Sequence, residues 1–112
     1  MIGAEMSAEA RIHPRFSLNV RADVIGEEIV LGRPVADISL GGCRFGGAAW
    51  ESAGTEVQIV LTFPALDANL PVYGVVVRSS DRDMGVRFNE LSDEQKWALR
   101  KHIREAQRET AA

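Results

Sequence analysis

A single cysteine, Cys43, among 112 residues excludes an internal disulfide framework and agrees with a reducing compartment. The only two histidines, His13 and His102, lie far apart in the chain, so no His/Cys spacing resembles a zinc site. Aromatic residues number seven, two Trp, one Tyr and four Phe, too few for the stacking platform that single-stranded nucleic acids need. No apolar run approaches the roughly 18 residues of a membrane-spanning helix, and Met1 to Glu9 lacks a basic segment followed by an apolar one. The expected location is therefore cytoplasmic, without membrane insertion. A formal net charge of −3 opposes general affinity for DNA or RNA, which depends on a broad basic surface.

What is present describes one soluble domain. With 46% hydrophobic and 26% charged residues, the composition is that of a globular protein. A chain of this length buries very roughly two-thirds of its unfolded surface and can hold an ordinary core. Residues 1–9 are small and polar, without periodicity, and read as a flexible tail. Leu18, Val20, Ala22 and Val24 alternate with polar residues, the period of two of a half-buried strand. Gly26-Glu27-Glu28 makes a hairpin turn into Ile29–Leu31, and further strands are expected over Pro34–Ile38, Cys43–Phe45, Val57–Phe63, Val72–Arg78 and Met84–Phe88. Pro64 to Pro71 reads as an interruption. Many short strands separated by turn signals predict an antiparallel barrel, mainly β, whose closure removes vulnerable edges. Near the end the period changes. Ser92 to Gln95 has the pattern of a capping box with acidic residues in the first turn, and Leu99 and Ile103 lie on the apolar stripe of the helix that follows. Trp97 falls opposite that stripe, among Arg100, Lys101, Arg104 and Arg108. It reads either as an exposed ring partly covered by arginine stems or as a surface for a protein partner.

Two short segments carry the chemistry. Arg11-Ile12-His13-Pro14-Arg15 places two guanidiniums four residues apart, and Pro14 disfavours helix, so both face the same way on an extended arm. A guanidinium is a planar fork that matches phosphate oxygens or the O6/N7 edge of guanine in bidentate fashion. Asp37-Ile38-Ser39-Leu40-Gly41-Gly42 supplies a carboxylate suited to guanine N–H donors, a short-reach hydroxyl, and two glycines that admit close backbone approach. Arg11, His13, Arg15 and Arg21 gather positive charge locally on an acidic molecule, enough to attract a small anion. Arg44, Arg78 and Arg87 are candidates to border the site. Together the segments point to an anionic, guanine-bearing nucleotide.

At these residues the sequence resembles the PilZ family, bacterial receptors for the second messenger cyclic di-GMP. The family signature, Arg-x-x-x-Arg on an N-terminal arm followed by Asp/Asn-x-Ser-x-x-Gly on the barrel, is matched by Arg11, Arg15, Asp37, Ser39 and Gly42. Gly74–Arg78, Gly85–Phe88 and Glu94 to Ile103 extend the resemblance, which covers about residue 9 to residue 107. It implies a PilZ-type barrel of six to seven antiparallel strands with a C-terminal α-helix: an arm over 10–17, a barrel over 18–89 and a helix over 92–109. It also implies cyclic di-GMP as ligand, held by Arg11, Arg15, Asp37, Ser39 and Gly42 and bordered by Ala10, Pro14, Gly41, Arg44 and Arg78. An arm that closes on the ligand and an unidentified protein effector in motility, biofilm or secretion control follow from the same resemblance. Ala10 stands where many members carry a further arginine, which favours one ligand per chain over a stacked pair. The alternative is a PilZ-like interaction module that binds no nucleotide.

Enzyme readings are weak. A Ser39/Asp37/His13 triad lacks the sharp turn that exposes a nucleophilic serine, and Gly41-Gly42 has neither the spacing nor the Lys-Ser/Thr ending of a P-loop. Cys43 could sense redox state only with a lowered pKa. The expected role is that of a receptor without catalysis or cofactor.

Overall fold

The computed structural model describes residues 14–111. The tail and the candidates Ala10 and Arg11 lie outside the described residues. Seven strands and one α-helix follow in order: β1 (Arg21–Ile25), β2 (Ile29–Pro34), β3 (Asp37–Ile38), β4 (Gly42–Gly46), β5 (Glu56–Phe63), β6 (Ala68–Ser79), β7 (Asp83–Asn89) and α1 (Asp93–Ala111). All pair antiparallel in one sheet of order β2-β1-β5-β6-β7-β4-β3. Alternation along the strands sets which face is buried. In β5, Val57, Ile59, Leu61 and Phe63 are buried while the residues between them are not, and Val24, Ile38, Phe45, Val76 and Met84 complete the same interior.

The sheet curls but its ladder does not close, so "barrel" describes it loosely. Its two edges, β2 and β3, are consecutive in the chain, and residues 35–36 bridge them. The Val35 amide donates to Val20 carbonyl at 2.9 Å and the Ala36 amide to Arg44 carbonyl at 2.7 Å. This short crossing divides the strand expected over Pro34–Ile38 between two edges. The first strand likewise begins at Arg21, later than the alternation from Leu18 suggested, because the Val20 carbonyl is taken by Val35. Pro71 does not interrupt: β6 runs through it, opposite Val60. The partner strand β7 pairs only from Tyr73 onward, so Pro71 has a neighbour on one side alone, where a missing N–H is tolerated.

At the other end Ser92 and Gln95 form the reciprocal cap: the Gln95 amide donates to Ser92 Oγ at 3.0 Å and the Ser92 amide to Gln95 Oε1 at 2.8 Å. Leu99, Ile103 and Ala106 are buried, seating α1 against β6 and the Pro64–Leu66 turn. Trp97 is 62% exposed, and the Lys101 ammonium lies over its ring, 5.1 Å from the centroid.

The β1–β2 turn is tied down from outside the hairpin. Buried Glu51 accepts the Glu28 amide at 3.0 Å, and a Cβ on Gly26 would lie 2.5 Å from the same carboxylate oxygen. Glu51→Ala leaves that amide without its partner, so we expect a loss of about 1–3 kcal/mol. Hydrogen exchange should accelerate at Glu28 more than at Val24; equal acceleration at both would show that Glu51 acts on the whole fold and not on this turn.

Candidate nucleotide-binding site

The site begins with a register. β3 pairs with β4 so that Asp37 lies directly opposite Arg44, a cross-strand pair of opposite charge. Arg44 Nε donates to Asp37 Oδ2 at 2.7 Å. Arg15 reaches the other oxygen, with Nε 2.5 Å from Oδ1. What brings Arg15 there is its neighbour: Phe16 and Ile38 exchange backbone hydrogen bonds of 2.8 and 2.9 Å, laying the base of the arm along β3. The hydrogen bond to Asp37, and then its charge, raise the Arg44 pKa above the ordinary arginine value, so this fork stays cationic.

The charges continue along the sheet. Arg44 Nη1 lies 3.7 Å from Asp83 Oδ2, and Arg78 Nε donates to Asp83 Oδ1 at 3.0 Å. Asp83 is itself fixed by Ser80, whose hydroxyl donates to the Asp83 carboxylate at 3.1 Å and accepts the Arg82 and Asp83 amides. The result is a row, Arg15–Asp37–Arg44–Asp83–Arg78, in which two carboxylates alternate with three guanidiniums. The carboxylates are largely covered, with side chains 15% and 10% exposed, while the arginine side chains are 48%, 41% and 69% exposed. Pairs this open contribute at most about 1 kcal/mol each to stability. Their effect is orientation. Arg15 and Arg78 engage only Nε here, leaving their terminal nitrogens without a hydrogen bond among the described residues.

Ser39 and Gly42 shape this edge from within. Ser39 is 1% exposed; its Oγ accepts the Gly41 amide at 3.1 Å and its own amide donates to Gly42 carbonyl at 2.8 Å, closing the turn between β3 and β4. The hydroxyl therefore faces the turn. Gly42 lies against β7, where a Cβ would collide with the Val86 carbonyl oxygen. The close approach that this glycine permits is to protein backbone. Pro14 is exposed at the arm's start, and Gly41 is partly buried in the turn.

Sequence reasoning grouped Arg15, Asp37 and Arg44, and the structure brings them together; Arg78 joins through Asp83. Asp83 itself was missed. The signal available was the Ser80-Asp81-Arg82-Asp83 turn, a pattern in which a serine hydroxyl captures the amides that follow. Of the Ser39/Asp37/His13 combination, Ser39 is sealed in its turn and Asp37 is engaged by arginines, while His13 lies outside the described residues.

Cys43, between these elements, is fully buried, and burial pushes its thiol up to about 12 despite the opposing pull of Arg15. Thiol-disulfide reagents at pH 8 should modify it only as fast as the protein opens. Labelling of the folded protein at the rate of a free thiol would contradict this burial.

The PilZ domain family profile matches residues 9–105. No curated protein matches the chain significantly in sequence. Among solved structures, the Bacillus subtilis inhibitor of motility MotI/DgrA superposes with a TM-score of 0.67 at 20% identity, over 83% of this chain and 49% of that one. The present chain thus spans about half of MotI/DgrA. The PilZ domain of CeSA from a cellulose-synthesizing bacterium gives 0.62 at 18% identity, over 82% of this chain and 93% of that domain. A tetrameric PilZ-domain protein of Xanthomonas campestris, self-assembled through a helical bundle, gives 0.59 at 24% identity, over 75% and 52% of the two chains. At such identities the likeness is one of fold. The family profile, spanning nearly the whole chain, together with the Asp37–Gly42 turn set against the arm arginine Arg15, places this chain in the PilZ domain family.

Proposed function

We propose that the chain is a receptor for cyclic di-GMP, binding it where the arm meets β3 and β4 and passing the signal to a protein partner. The observation that carries this reading is Asp37 held between Arg15 and Arg44, which aligns two guanidinium forks on one sheet edge. Phosphate and the O6/N7 edge of guanine are the chemistries that such forks match. A carboxylate offers about four acceptor sites, and the arginines use one on each oxygen, so Asp37 keeps capacity for guanine N–H donors. Arg11 adds a third fork from the arm. Ser39 and Gly42 act indirectly, by fixing the turn on which Asp37 stands.

Charge-assisted hydrogen bonds of roughly 1.5–3 kcal/mol each offset the entropy of ordering arm and ligand, and micromolar affinity, about −8 kcal/mol, needs no deep pocket. The partner side of the proposal is the helix face around Trp97. Arg100, Lys101 and Arg104 surround the exposed ring there and suit an acidic protein surface. Inhibition of motility belongs to MotI/DgrA; for this chain it makes motility one process to examine first.

Calorimetry with cyclic di-GMP, GTP and a single-stranded RNA tests the reading. Saturable binding of cyclic di-GMP alone, one molecule per chain, is expected. Absence of heat and of competition with all three would favour the nucleotide-free interaction module, and two ligands per chain would overturn the inference drawn from Ala10.

A further inference from the structure

A second cleft lies between α1 and the turn that joins β3 to β4, with a volume of about 510 Å³, inside the roughly 300–1,000 Å³ of small-molecule sites. None of Arg15, Asp37 and Arg44 lines it. Its floor is apolar: Leu99 is fully buried, Phe88 is 8% exposed, and Leu40 and Leu91 are half-buried beside them. Three cations stand on its walls, Arg87 on β7 and Lys96 and Arg100 on α1. Among the described residues these three make no ion pair and no side-chain hydrogen bond, in a protein whose formal net charge is −3. Lys96 and Arg100 are four residues apart, hence neighbours on one helix face. One carboxylate, Glu90, opposes them; its backbone is in the left-handed region at φ 49°, a conformation that non-glycine residues adopt at some cost.

We infer that this cleft is a binding site for a small amphipathic anion, an apolar body lying on Leu40, Phe88 and Leu99 with a phosphate or carboxylate between Lys96, Arg100 and Arg87. The pairing of features decides the class. An apolar floor alone would take a neutral molecule, and surface cations alone would take inorganic phosphate. Here cations and apolar side chains line the same cleft, so the two gains add only in a ligand that carries both parts. Arg87 stands on the sheet and the other two cations on the helix, which suits a tetrahedral or planar anionic head. The site also touches the candidate nucleotide site through the turn, since Leu40 and Gly41, which line the cleft, are the two residues between Ser39 and Gly42. The inference stands independently of cyclic di-GMP binding.

The test is a titration of the full chain with octyl phosphate, octanol and inorganic phosphate, followed by amide chemical shifts. Octyl phosphate should bind at least tenfold more tightly than either control and move the amides of Leu40, Gly41, Phe88 and Leu99. Lys96→Gln together with Arg100→Gln should weaken it at least tenfold without changing the affinity for octanol. Arg15→Ala should leave it unchanged, which separates this site from the proposed nucleotide site. Equal affinity for octanol, shifts outside the cleft, or indifference to the Lys96 and Arg100 substitutions would each overturn the inference.

Discussion

Gly42→Ala is expected to cost about 3 kcal/mol or more, the upper range for forcing atoms into a packed interior. The added Cβ would collide with the Val86 carbonyl oxygen and meet Arg87 Cα at 3.2 Å. Both are backbone, so no side chain can rotate aside, and β4 must separate from β7 or the ladder between them must break. For a domain of this size the melting temperature should fall by on the order of 10–20 °C. Gly46→Ala is the control: it lies at the other end of the same strand, where an added methyl group would have nothing within 4 Å, and should change stability by less than about 0.5 kcal/mol. Similar melting of the two variants would contradict the packing account of the motif glycine.

The second large effect concerns affinity. Asp37→Ala and Arg15→Ala should each weaken cyclic di-GMP binding by at least tenfold, about 1.4 kcal/mol, the lower end of one charged hydrogen bond. Removing Asp37 also releases two arginines from their shared orientation, so its loss should be the larger of the two. Stability should hardly change in either variant, because the arginine partners are open to solvent and neither substitution leaves a buried charge unpaired. Arg15→Lys should recover only part of the affinity, since an ammonium restores charge but not the fork. Wild-type affinity in both alanine variants would place the ligand elsewhere.

Much of this architecture was legible because local signals agreed with one another. The alternation of β5 and the Ser92–Gln95 cap are set within a few residues, and the structure shows both. Pro71 was misread because its tolerance depends on where β7 stops, a fact about a strand further along the chain. The crossing at residues 35–36 between the two sheet edges was equally invisible, since hydrophobic alternation reports which face is buried and not which neighbour a strand has. For the site, the motif residues could be grouped from sequence, but their division of labour could not. Ser39 and Gly42 turn out to hold the turn and the strand packing, while Asp37 orients arginines. Asp83 was missed because its value comes from register: the β4–β7 and β6–β7 ladders bring it within reach of Arg44 and Arg78.

The most direct test of the central claim is a map of where cyclic di-GMP binds, made by following amide and arginine Nε–H resonances during titration. The account predicts saturable shifts at Arg15, Asp37, Gly41 and Arg44, including the Nε–H signals of both arginines that share Asp37, with the outer strand positions Ile29 and Leu31 unmoved. Saturable shifts confined to other surfaces, or no shifts at millimolar ligand, would contradict it.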